Sequence, residues 1–535
     1  MIRSTGMNII ALLLISLSAC GQRINLPEPA RVTLPNGVKI ILLEYHRAPT
    51  LSVTATFPGG SVTDPKDKSG ACDLMAEMMR RGAGSRNAEQ IAEEIEFIGG
   101  SLDATASSER VSVGLSCLEK DADVGLDLLA DIIRRPTFPA DELERSRKLA
   151  LAGLQALPDD PAALAGRLES ETLYAGHPYG ISPTQSSLTE ITAADIKASW
   201  TRNIVPDRMI LVAVGDFQSS AMLSKLTAIF QDWPRSGSTQ PALPRLSAMI
   251  PKIVLLDKPD AVQAQIRFVS SGFPMNDPAL FPARVANDIL GGGFSSRLVK
   301  AVRINKSLTY DIGSGFIAQK DAGMFTISTF TKLETIRSLI DTTRETIIKS
   351  MAQGFTPAEV AQSKSYRVGA FAIHSQTPEF LGGILGDMEF YGLPGDYLKT
   401  WPARIQSVSI SQANDIAKRF FDPSRMSLII VAPAKKVGNQ LNGLGNVETR
   451  TIRPWLSGSV KAATPDKAEA KDTRMEITDD IKQKIDAWIK AKGLNTFGDP
   501  PGTMYTGGTP LFNEMTGERK DRYDYILGKH PELAK

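Results

Sequence analysis

Residues 37–45, GVKIILLEY, and 51–57, LSVTATF, string apolar and β-branched side chains between turn signals, as strands do. Residues 109–117, ERVSVGLSC, alternate polar and apolar positions, which puts one face of a strand on a core. Around them the apolar spacing widens to three and four. Helices are expected through Met79, from Ala88 to Phe97, and as a pair over Asp121–Leu157. Strands grouped with runs of helices predict an α+β fold: a mainly antiparallel sheet with helices covering one face.

The pattern then repeats. DIKASWTRNIVPDRMILVAVGDF (Asp195–Phe217) and DIAKRFFDPSRMSLIIVAPA (Asp415–Ala434) share a helix-like opening, a Pro turn, Arg-Met and an Ile/Val run. Arg208 and Arg425 stand 217 residues apart (425 − 208), and so do Phe138 of TFPADEL and Phe355 of GFTPAEV (355 − 138). One offset at such distant points predicts two homologous domains, residues 20–235 and 251–450, with the Pro/Ser-rich 236–250 as linker. Residues 451–535 are expected to form a tail. Ser457–Arg474 reads as a flexible linker, and Thr478–Gly493 as an amphipathic helix with Ile481, Ile485, Trp488 and Ile489 on one face. Phe497, Tyr505, Phe512, Tyr523 and Tyr525 follow among glycines and prolines. That segment is expected to lack a core of its own and to anchor on a partner or on its own subunit.

With 61 Lys+Arg against 59 Asp+Glu the chain lacks the basic footprint of a nucleic-acid binder. At the N-terminus, Arg3 and the apolar run Ile9–Ile15 form a signal too short to span a bilayer. The LSAC that follows resembles the end of a bacterial lipoprotein signal. By that resemblance residues 1–19 are removed, Cys20 carries the lipid, and the protein stays on the periplasmic side. Gly21 in place of Asp points to the outer membrane. Cys72 and Cys117 are then a possible disulfide or two small buried residues. His46, His177, His374 and His530 stand at no metal-ligand spacing.

GGSVTDPKDKSGACDLMAEMMRRGA, YAGHPYGISPTQSSLTEITAADI, GGGFSSRLVKAVRINKSLTYDIGSGF and the repeated Arg-Met strand starts together resemble the pitrilysin/insulinase family of zinc metallopeptidases, in its mitochondrial-processing-peptidase-like branch. The resemblance covers Leu26 to Val447 and implies two domains that form half of a clam shell around unfolded peptides. Active members carry H-x-x-E-H on a helix and a further Glu downstream. Two histidines at i and i+4 share a helical face and ligate zinc, and the Glu activates the bound water. Aligned on Gly70, this chain has Asp73 and Glu77 at the histidines and Ala76 at the catalytic Glu. Gly153 stands at the third ligand. Asp73 and Glu77 still share a face, but carboxylates alone suit Mg²⁺ or Ca²⁺ and need more oxygens. They are expected to be solvated carboxylates beside Arg80 and Arg81.

In heterodimeric bacterial relatives the partner of the zinc subunit supplies an Arg and a Tyr. RINKSLTY aligns with R-E-K-R-G-L-A-Y, which implies those roles for Arg303 and Tyr310 and departs at Ile304 and Ser307. A guanidinium and a phenol can donate to the oxygen that gains charge in a tetrahedral intermediate. Gly291–Ser296, GGGFSS, is expected to be a turn, because Arg-Leu follows where a phosphate loop needs Lys. The expectation is a non-catalytic, substrate-binding subunit of a periplasmic zinc peptidase. It would hold no cofactor itself and would pair with a homologue carrying the zinc. The alternative is a scaffold or assembly lipoprotein that uses the inactive fold and the tail to hold partners.

Overall fold

The structure, a computed structural model, describes residues 28–239, 242–458, 479–503, 510–511 and 521–534. The leader with Cys20, the Thr478 cap, Tyr505 and Phe512 lie outside the described residues. The described residues form two compact units, 28–458 and 479–534.

The first unit contains two six-stranded sheets. One is built from β1 (Ala30–Thr33), β2 (Lys39–Glu44), β3 (Thr50–Pro58), β6 (Ser101–Ala106), β7 (Arg110–Leu118) and β8 (Ile210–Gly215); β4 (Gly82–Ala83) and β5 (Arg86–Asn87) make a separate small ladder. The other comprises β9 (Ile253–Asp257), β10 (Gln263–Ser271), β11 (Ile312–Ala318), β12 (Gly323–Lys332), β13 (Ser427–Ala432) and β14 (Val447–Thr451). Their orders are β1-β2-β8-β3-β7-β6 and β11-β12-β10-β13-β9-β14. Read from opposite ends, these are one topology twice. In both, the strand led by Arg-Met pairs in parallel with the lobe's early strand, β8 with β2 and β13 with β9. The copies differ at one edge, where β1 runs antiparallel to β2 but β14 runs parallel to β9. Helices pack on each sheet as the α+β reading expects.

A second covering explains why β8 and β13 read as unbroken apolar runs and are buried throughout. Leu211 and Ala213 face the first lobe's own core, whereas Ile210, Val212 and Val214 join the core of the second lobe. The Pro378–Tyr391 helix of the second lobe lies on them. Gly382 and Gly386 face them, and a Cβ there would meet Val214 at 3.6 Å and Val212 at 3.8 Å, ordinary contact that leaves no room for a longer side chain. The exchange is mutual: the Pro161–Leu173 helix of the first lobe covers Ile429 and Val431 through Leu164, Ala165 and Leu168. The lobes are thus held by one interlocked apolar interior.

Cys72 and Cys117 are free, buried thiols. The body continues past residue 450, with β14 leading into the Ile452–Ser457 helix. In the second unit the Asp479–Lys492 helix forms as expected and Gly493 follows at φ 64°. The segment that follows packs on this helix rather than on a core of its own. Ile485 and Ile489 pack with Ile526 of a further helix, Arg522–Lys529, and Trp488, Tyr523 and Tyr525 close over them. Ile526 is the buried residue of that helix, whose eight residues RYDYILGK are too few for a periodic pattern to reveal it.

Candidate functional site

The Ala71–Met79 helix starts immediately after Gly70, whose left-handed backbone (φ 98°) few other residues would adopt. Asp64 caps it by accepting hydrogen bonds from the Gly70 and Cys72 backbone N–H groups, each at 3.0 Å. Cys72, Met75, Ala76 and Met79 turn into the core. Asp73 and Glu77 are left on the outer face, toward the Ala140–Ala156 helix packed alongside. Between the two helices lies a hollow of about 400 Å³ walled by Leu74, Ala150, Leu154 and Leu188, with Asp73, Glu77 and Arg167 on its lining.

The two carboxylates have different surroundings. Glu77 accepts from Arg80 at 3.2 Å and from Arg81 Nε at 2.9 Å, as the sequence suggested. Asp73 has no such partner among the described residues, and its apolar surroundings push its carboxyl up to about 6. Its open side faces solvent, which screens the effect, so that value is a ceiling. Asp64 is pushed up to about 7, chiefly by desolvation against the two N–H bonds it accepts, with the Asp73 charge adding to it. Gly153 is exposed and outside the hollow's lining, whereas Ala150 and Leu154 on the same helix face it. Sequence alone did not single out Asp64 or Arg167. The signal for Asp64 was an Asp-Pro pair shortly before a helix start.

These residues do not fit zinc. Ala76 offers no donor, both Glu77 oxygens are bonded to arginines, and Ala150, Gly153 and Leu154 bring no ligand from the second helix. Asp73 is left as the one available carboxylate in a hollow where zinc needs about four ligands. His177 is occupied elsewhere: its Nδ1 accepts from Tyr179 N–H at 3.2 Å and its Nε2 donates to the Pro244 carbonyl at 3.0 Å, which tethers the interlobe segment.

Arg303 and Tyr310 come together in the second lobe. Arg303 lies in a wide π-helical turn, Val299–Asn305, and its guanidinium sits 4.7 Å from the Tyr310 ring centre and 5.2 Å from that of Phe294. Phe294 belongs to the Gly291–Ser296 segment; it is 69% exposed and Tyr310 is 75% exposed. Among the described residues no carboxylate pairs with Arg303. Ser307, where the aligned motif has Gly, holds φ +50°. The departure from the motif therefore costs backbone strain rather than the turn itself.

Residues 39–185 match the model described as Insulinase (Peptidase family M16), and residues 190–366 match Peptidase M16 inactive domain. The chain belongs to the insulinase, or M16, family. Among M16 relatives, "Uncharacterized zinc protease YmxG" of Bacillus subtilis is 24% identical over 76% of this chain and 98% of its own length. "Non-peptidase homolog YmxG" of Helicobacter pylori is 24% identical over 75% and 93%. The crystal structure of a peptidase M16 inactive domain from Pseudomonas fluorescens matches with a TM-score of 0.71 and 24% identity, covering 76% of this chain and 98% of that one. That solved structure shares the fold of this chain. Among the described residues no helix is long and apolar enough to cross a membrane.

Proposed function

We propose that this chain is the non-catalytic, peptide-binding subunit of an M16 peptidase whose zinc is held by a homologous partner, lipid-anchored through Cys20 on the periplasmic side of the outer membrane. The observation that carries the reading is the Arg303–Tyr310–Phe294 corner. An unpaired guanidinium beside two exposed aromatic rings has every donor available to a peptide carbonyl, on a chain whose zinc positions hold other residues. Exposed aromatic and arginine side chains together are also the usual anchors of a polypeptide partner. On this reading the zinc belongs to the partner, and Arg303 and Tyr310 steady the oxygen that gains charge on the bound substrate.

Removing one such donor typically costs about a hundredfold to a thousandfold in rate. Arg303→Ala and Tyr310→Phe are each expected to cut turnover of an unstructured peptide by the reconstituted pair to that extent, with assembly intact by size-exclusion chromatography. Full turnover in both variants would rule out the catalytic-helper role. The scaffold reading draws on a different observation, the tail's own core of Ile485, Ile489 and Ile526. It is favoured if membrane pull-downs recover partners through residues 479–534 and no homologue with H-x-x-E-H.

A further inference from the structure

The duplication gives the second lobe a hollow of its own. The Leu280–Leu290 and Pro357–His374 helices correspond to the Ala71–Met79 and Ala140–Ala156 pair and pack together in the same way. Tyr366, Arg367 and Phe371 stand 217 residues after Leu149, Ala150 and Leu154 (366 − 149, 367 − 150, 371 − 154), and all six line the two cavities. Ile384 likewise stands 217 after Arg167 (384 − 167). The second cavity measures about 320 Å³. Its chemistry is the reverse of the first.

One wall is aromatic. Phe371 and Trp401 stack with centres 4.2 Å apart and planes 8° from parallel, and Phe380 meets Phe371 edge-on at 6.0 Å. Arg284 enters this wall with its guanidinium 5.6 Å from the Trp401 ring centre and 5.9 Å from that of Phe281. The other charges are already matched. Arg367 binds Asp288 at 2.7 Å, Ser363 donates to the same Asp288 at 2.9 Å, and Asp387 accepts from Arg110 of the first lobe at 2.5 Å. His374 stacks on Phe380 at the exposed side. Among the described residues no carboxylate forms an ion pair with Arg284; the Tyr397 side chain is its hydrogen-bonding neighbour, and the charges of Asp288 and Arg367 act on it from nearby. Desolvation lowers its pKa, yet a guanidinium does not give up its proton in a protein.

We propose that this hollow binds a carboxylate carried on an aromatic or branched apolar group. Arg284 is half-buried, and the nearby Asp288 carboxylate is bonded to Arg367, so Arg284 keeps donors that no ion pair occupies, and its planar fork matches a carboxylate in two hydrogen bonds. The stacked rings beside it accept a flat apolar body. The volume lies at the lower end of small-ligand cavities, so it suits one amino-acid-sized group. Two sources share this chemistry, a free aromatic acid and the C-terminal residue of a peptide. The inference stands apart from the subunit reading, because it needs neither a zinc partner nor the Arg303 corner.

Calorimetric titration of the full chain tests it with four probes: N-acetylphenylalanine, its amide, acetyl-Ala-Ala-Phe, and that tripeptide's amide. The acids are expected to bind about tenfold or more tighter than the amides, and Arg284→Met is expected to erase the difference. A tripeptide acid that binds tighter than the single residue identifies peptide C-termini; equal binding identifies small aromatic acids. Acid and amide binding alike, no acid binding at millimolar concentration, or an unchanged preference in Arg284→Met would each overturn the proposal. If that variant does not fold, the acid–amide comparison on the unaltered chain decides.

Discussion

Between the Ala71–Met79 and Ala140–Ala156 helices the first lobe presents Asp73, with its carboxyl pushed up to about 6 by apolar neighbours. Between the corresponding helices of the second lobe it is Arg284 that forms no ion pair, set against Phe281 and Trp401. The helix pair and the position in the lobe are the same, but the lining differs. A duplicated fold preserves the hollow because two helices packed on a sheet leave one between them wherever small or outward-pointing residues fall. It does not preserve the chemistry, because a fold fixes where the lining positions lie and not which side chains occupy them. In this chain the first hollow leaves a carboxylate without an ion pair and the second a guanidinium.

The strongest way to sharpen that comparison is to rebuild the first hollow. A variant with Asp73→His, Ala76→Glu, Glu77→His and Leu154→Glu is expected to hold zinc through dialysis. The same set with Gly153→Glu in place of the Leu154 change should bind about tenfold or more weakly, because Gly153 lies outside the lining. Metal content and competition with a chelator measure both. Equal affinity in the two sets would show that the position facing the hollow does not matter.

Next in size is the interlock that holds the two lobes together. Gly386→Leu places a long side chain where a Cβ already comes within 3.8 Å of Val212, and it should lower stability by about 1–3 kcal/mol. Gly386→Ala should be neutral or slightly stabilising, since that contact is ordinary and alanine favours a helix. Denaturant unfolding separates the two. A tolerated leucine would mean that the lobes part easily.

A smaller effect concerns Asp73 itself. A carboxyl whose folded pKa lies above its unfolded value of about 3.9 binds more protons in the folded state, so stability falls as pH rises between the two values. For Asp73 that window runs from about 4 to about 6. Asp73→Asn should therefore gain stability at pH 8, by at most about 1 kcal/mol once solvent screening is allowed for, and should gain none below pH 4. Thermal melts across that range test it, and a gain that persists at low pH would contradict the cause. The smallest effect belongs to the Arg303 corner. Ser307→Gly relieves the φ of +50° and should add about 0.5–1 kcal/mol without altering peptide binding. Weakened binding in that variant would mean that the serine itself takes part.

The duplication, the strand and helix pattern and the altered zinc positions were all legible in the chain. Periodicity and a constant offset are local properties, and local properties survive without coordinates. The corner of Arg303 and Tyr310 was legible only through a motif, and its third member, Phe294, through nothing in the spacing. What tertiary structure alone decided was which side chains share a space. The unbroken apolar runs of β8 and β13 announced burial on both faces, yet that the second cover comes from the opposite lobe depends on packing between residues about 170 positions apart, as for Val214 and Gly382 (382 − 214 = 168). The same holds for the tail's small core, where Ile526 gains its meaning from Ile485 and Ile489, and for Arg284. In the sequence Arg284 is one arginine among many charged residues. Asp288 of its own helix bonds Arg367 and Asp387 of a neighbouring helix bonds Arg110, and only that arrangement in space leaves Arg284 without an ion pair.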